Sequence, residues 1–166
     1  MKYEHKLGLR VILALILIYP VFNFIITPLT KYLVYFISLT FFSISLNNNI
    51  FQLGNYHLEF VSACAAISAY YLIFILVIFT KDLSFKNTFK IFFTGALLIL
   101  IMNLLRIELM FFILTNYSSN LFDKVHLFFW EIVSTLYVAG VWIFLVKYYK
   151  IKSIPFYSDL KKLIKR

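Results

Sequence analysis

Long apolar runs separated by short basic segments leave this chain one medium to fold in. The runs extend from just after Arg10 to Pro28, from Ala63 to Thr80, from Ile91 to Leu114 and from Val125 to Val146. Each approaches or exceeds the ~20 residues that a helix needs to cross a hydrocarbon layer about 30 Å thick. Apolar residues make up 63% of the 166 and charged residues only 14%, well below the roughly one-quarter charged usage of soluble domains. The reading is an all-α integral membrane protein, a single membrane domain over residues 1–166 with no soluble domain beside it.

The charges orient it. A formal net charge of +9 can signal nucleic acid, but here the basic residues gather at the two ends and between Lys81 and Lys90, outside the apolar runs. That distribution is the positive-inside pattern and suits contact with anionic membrane lipids. Lys2, Lys6 and Arg10 put the N-terminus in the cytoplasm, and residues 147–166 form a basic cytoplasmic tail in which Ser158-Asp159 can cap a short surface helix. The first apolar run is longer than the core of a secretory signal and has no clear small-residue cleavage site, so it is read as an uncleaved span.

The segment from Leu29 to Leu46 is ambiguous. Pro28 is expected to break the helix before it, and Lys31 with a stripe of Tyr35, Ser38 and Ser45 suits a helix lying in the interface. That choice gives four transmembrane helices plus one interfacial or re-entrant helix, with every basic cluster in the cytoplasm. If the segment crosses instead, there are five transmembrane helices and the basic N-terminus lies outside. The charges favour four. Asn47-Asn48-Asn49 reads as a turn, and the β-prone pieces either side of Gly54-Asn55 read as a short extracytoplasmic hairpin leading to Cys64.

Cys64 is the single cysteine. It cannot form an internal disulfide, and no paired Cys and His spacing suggests a metal, so the choice lies between packing and chemistry. A lone cysteine in an apolar helix is most often a small hydrophobe. Arg106 argues otherwise, because an arginine within an apolar span costs on the order of 3 kcal/mol and usually faces a bundle interior or a wet cavity. Measured from Lys90, Arg106 lies roughly 24 Å along its helix; measured from Lys81, Cys64 lies roughly 25 Å along another. His126 opens the last span roughly 31 Å from Lys147. Three residues far apart in sequence therefore reach one end of three successive helices. A thiolate nucleophile, a histidine that moves its proton and an arginine that stabilises an oxyanion form an acyl-transfer set.

From about Pro28 to about Trp130 the sequence resembles the exosortase/archaeosortase family of membrane cysteine transpeptidases. Ala63-Cys64-Ala65-Ala66-Ile67 stands where that family usually has Ala-Cys-Ser-Gly-Ile, Asn103-Leu104-Leu105-Arg106-Ile107 matches its Asn-x-x-Arg-Ile pattern, and His126-Leu127 follows 20 residues after Arg106. The resemblance implies Cys64 as nucleophile, His126 as proton shuttle and Arg106 as oxyanion or carbonyl ligand. It implies cleavage of secreted proteins near a C-terminal transmembrane sorting signal. Transfer is then to an amine acceptor, lipid or lipid-linked, at a site on the extracytoplasmic face of the cell (inner) membrane. The departure is Ala65-Ala66, which replaces the usual hydroxyl and glycine.

The remaining polar residues are weaker candidates. Asn103 shares a helix face with Arg106 and can orient it or the substrate, and Glu59 can pair with Arg106 or remain a solvated hairpin residue. Glu108 lies about 200° around the helix from Arg106 and is expected to serve another contact. Glu131 is poorly spaced to orient His126, Asp123 is a weaker candidate for that task, and His5 and His57 read as surface residues. Neither cofactor nor metal is expected, and nucleic acid is not an expected partner. Three other functions compete with transpeptidation: a hydrolytic membrane cysteine protease, in which water resolves the acyl-enzyme, an inactive membrane scaffold or assembly factor, and a transporter, for which one buried arginine without a matching broken helix is thin support.

Overall fold

The computed structural model describes residues 18–80 and 83–151. The start of the first apolar run, His5, Lys81 and the tail from Lys152 to Arg166 lie outside the described residues, and with them the expectations made there. Helix α1 (Ile18–Ser38) is followed by strands β1 (Ile44–Asn47), β2 (Ile50–Leu53) and β3 (Tyr56–Glu59) and a 3-10 turn over Ser62–Ala65. Helices α2 (Ile67–Ile78), α3 (Phe85–Asn116) and α4 (Ser119–Phe128) come next. A π turn over Phe129–Val133 joins α4 without a break to α5 (Ser134–Tyr148).

Among the described residues three helical stretches are long and apolar enough to cross a membrane, Pro20–Ser38, Phe85–Asn116 and Ser119–Tyr148. The fourth apolar helix, α2, has 12 residues, about 18 Å at 1.5 Å per residue, shorter than a hydrocarbon layer. Their outward faces are apolar, with Phe24, Phe36, Leu105 and Leu136 among the most exposed side chains. Such a surface suits lipid.

The segment around Pro28 differs from the expectation. Pro28 lies inside α1, which runs on to Ser38, and no separate interfacial helix covers Leu29–Leu46. Proline removes one helical hydrogen bond, a loss that membrane-spanning helices accommodate. The second half of the segment turns at Ser38 and becomes β1. The hairpin is thus a three-stranded antiparallel meander, β1-β2-β3, with Ile44 opposite Leu53 and Ile50 opposite Glu59. Two-residue turns close it, and Asn48 (φ 56°) and Gly54 (φ 55°) take the left-handed backbone that asparagine and glycine tolerate.

Two loop boundaries also move. The expected loop from Lys81 to Lys90 is already helical at Phe85, because the Ser84 hydroxyl accepts from the Asn87 amide and caps α3. The expected polar loop from Thr115 to Lys124 narrows to a bend, since Ser118 caps α4 by accepting from Leu121. The last helical stretch therefore starts six residues before Val125.

The core has two parts. At the meander end, Phe51, only 1% exposed, packs edge-on against Phe60 and Phe111, with Val34, Ile67 and Ile107 around them. Lys31 Nζ donates to the Asn48 carbonyl and to Asn49 Oδ1, which ties α1 to the first turn. At the other end, Ile73, Ile99, Val141 and Leu145 join α2, α3 and α5. A Cβ at Gly95 would stand 3.0 Å from both Ile73 and Leu145. Small residues of this kind let membrane helices approach closely.

Candidate active site

Cys64 lies in the 3-10 turn rather than in the helix proper, because the chain breaks at Ala66 before α2 begins. Ala66 has φ 55° and ψ 35°, a left-handed conformation that costs an L-residue other than glycine roughly 1–2 kcal/mol. The break swings the turn over the side of α3, where it is held. Asn103 Nδ2 donates to the Cys64 carbonyl at 2.8 Å and Arg106 Nη2 donates to the same oxygen at 3.3 Å. Their spacing of three places both on one face of α3. Asn103 and Arg106 are 4% and 8% exposed, so both hydrogen bonds to this oxygen are made inside the protein.

Cys64, Arg106 and His126 then border one space. A cavity of about 250 Å³ is lined by Cys64, Arg106 and His126, together with Glu59, Leu58 and Phe122. His126 comes from α4 and stacks on Phe122, ring centroids 5.8 Å apart and planes 21° from parallel. Among the described residues it makes no hydrogen bond to Cys64. The three residues therefore share a cavity without being bonded into a triad. Catalytic hydrogen bonds are often long before substrate arrives and tighten with it.

The weaker candidates are distributed as follows. Asn103 holds the cysteine's own carbonyl and not the guanidinium. Glu59 is exposed at the cavity rim, and His57 is exposed on β3. Glu108 faces away from the site, with Ser38 Oγ donating to its Oε1 at 2.8 Å. A wider cleft of about 1060 Å³ lies beside Glu108, between the C-terminal part of α1, the second hairpin turn and α3. It contains none of the three chemical residues and is mostly apolar, so size does not mark the site here. Among the described residues no three of His, Cys, Asp and Glu come together as a metal would need.

Comparison with protein-family models, curated proteins and solved structures finds no match. The site's own geometry carries it.

Two features of that geometry are invisible to hydropathy. One is the left-handed Ala66, which only its place after a polar loop and before an apolar run hints at. The other is the π turn, whose extra residue widens the helix after His126. Ser134 Oγ closes it by donating to the Phe129 carbonyl at 2.7 Å. π turns of this type are frequent at functional sites.

Proposed function

We propose that this chain is a membrane cysteine transpeptidase of the exosortase/archaeosortase type. The observation that carries the reading is the single cavity lined by Cys64, Arg106 and His126, which come from a loop and two separate helices. A further support is the left-handed backbone at Ala66, the position at which the resembled motif has glycine, the residue that adopts this conformation without cost. The polar cost of a buried Asn103 and Arg106 is also explained, since they fix the loop that presents the thiol.

The chemistry follows. The Cys64 thiolate adds to a peptide carbonyl carbon, and the developing oxyanion draws on the Arg106 guanidinium beside it. The intermediate collapses with cleavage of the C–N bond, and the departing amine takes the proton that His126 carries, leaving a thioester on Cys64. An acceptor amine then attacks the thioester carbon and gives its proton to His126; the new amide leaves and the thiolate is restored. Secreted proteins with a C-terminal sorting signal are the donors in this reading and a lipid or lipid-linked amine is the acceptor. By the positive-inside rule the cavity faces away from the cytoplasm.

The test is the set of C-termini on extracytoplasmic proteins of the source cell, read by mass spectrometry in wild type and Cys64→Ala. The reading expects a group of proteins whose C-terminal segment is removed and replaced by an amine-linked adduct in wild type alone. New C-termini ending in free carboxylates would indicate hydrolysis. C-termini identical in both strains would refute catalysis and leave a scaffold.

A further inference from the structure

Arg106 faces more than the thiol cavity. It also lines a second cavity of about 360 Å³, bounded by Ser62, Ser68, Trp130, Ser134 and Thr135 on the 3-10 turn, the start of α2, the π turn and the start of α5. We propose that this second cavity is a binding subsite for a phosphate-type oxyanion, carried by a lipid head group or free in solution.

Three observations carry it. Arg106 is 8% exposed, its described hydrogen bond goes to the neutral Cys64 carbonyl, and its Nε is buried without a partner. A buried cation of this kind is strongly disfavoured unless an anion compensates it. No carboxylate lines this second cavity, and Glu59 lines only the first cavity that Arg106 borders. An adjacent space of about 30 Å³ next to Arg106 and Ser134 has room for one water, which can satisfy an N–H but cannot neutralise a charge.

The second observation is the start of α2. Its N-cap is Ala66, which has no side chain able to cap, and the amides of Ile67 and Ser68 make no hydrogen bond among the described residues. Free first-turn amides and the positive end of the helix dipole form an anion site. Ile67 and Ser68 line the same cavity as Arg106.

The third is what the other hydroxyls do. Ser134 and Thr135 donate to the Phe129 and Glu131 carbonyls, so their protons are committed within the helix. Ser62 and Ser68 make no side-chain hydrogen bond among the described residues, and they stand exposed on the rim. Arg106, the first turn of α2 and these two serines therefore border one space. Trp130, 58% exposed, forms the open edge, as tryptophans do where a membrane meets water. A lipid head group carries its phosphate at the membrane–water boundary, which is why a lipid is one of the two sources.

The inference does not rest on acyl transfer, and its test uses protein that cannot perform it. The chain has two tryptophans, so Cys64→Ala/Trp142→Phe leaves Trp130 as the reporter. The full-length protein in a neutral detergent is titrated with dihexanoyl phosphatidylglycerol, with dihexanoyl glycerol and with inorganic phosphate. A saturable change in Trp130 emission with the phospholipid and none with the uncharged lipid is expected. Phosphate giving the same change at comparable concentration identifies the free ion as the ligand; a response to phospholipid alone identifies the head group. Ser68→Asp places a carboxylate in the first turn of α2, where it favours the helix but repels an anion, and is expected to weaken binding at least tenfold, as is Arg106→Gln. Equal responses to charged and uncharged lipid, no saturable response to any probe, or an affinity unchanged in monodisperse Ser68→Asp would overturn the proposal.

Discussion

The two ends of the molecule solve different problems with the same helices. At the end away from the meander, α2, α3 and α5 meet through Ile73, Ile99, Val141 and Leu145 and close tightly at Gly95. At the meander end the same α3 carries Asn103 and Arg106 into the protein and uses both on the Cys64 carbonyl. Apolar packing costs a membrane helix little, because lipid tails and neighbouring side chains are equally apolar. Burying an amide and a guanidinium is expensive. The difference separates a region that only has to be stable from one that has to place particular atoms.

Substitutions can break that comparison at either end. The largest expected effect is Phe51→Ala, which empties the junction of the meander with Phe60 and Phe111. It should cost about 3–5 kcal/mol, read as a lower midpoint of thermal unfolding followed by exposure of the single thiol. Gly95→Leu attacks the other end, where the nearest side-chain atoms leave no room, and overpacking should cost about 1–3 kcal/mol. Cys64 labelling in the folded protein should be unaffected, which distinguishes the two regions directly.

Asn103→Ala sharpens the comparison. It removes the shorter of two hydrogen bonds to the Cys64 carbonyl and should destabilise by about 1 kcal/mol, while changing the rate of thiol labelling out of proportion to that loss. Ala66→Gly has the smallest effect and the opposite sign. Relief of the left-handed strain exceeds the greater freedom of glycine in the unfolded chain, so a gain of roughly 0.5–1 kcal/mol is expected in the same melting experiment.

Much of this organisation is legible in the sequence, for physical reasons. Apolar runs of span length show where the long helices are, and distances from basic anchors of roughly 24–25 Å for Arg106 and Cys64 and roughly 31 Å for His126 bring all three to one end. The same reasoning fails where a single residue decides. Pro28 stays within α1 because a helix in apolar surroundings has no competing partner for its backbone, whereas proline's helix-breaking record comes from water. Ser84 and Ser118 start helices inside stretches that composition marks as loops, since a cap is one hydroxyl and hydropathy averages over many residues. β1 is hidden because Ile44-Ser45-Leu46-Asn47 is too short to show its alternation beside a long apolar run. The carbonyl shared by Asn103 and Arg106 is a tertiary contact across 39 and 42 residues, beyond the reach of any local pattern.

The central claim is that Cys64, Arg106 and His126 act as one site on the outer side of a membrane. Labelling of intact cells with a membrane-impermeant thiol reagent, across a pH series, tests it most directly because no other thiol is present. The thiolate is the reacting form. The account predicts labelling from outside, rising with pH, at a rate changed by both Arg106→Ala and His126→Ala. Labelling only after permeabilisation, or a rate indifferent to both substitutions, would contradict it and return Cys64 to a packing role.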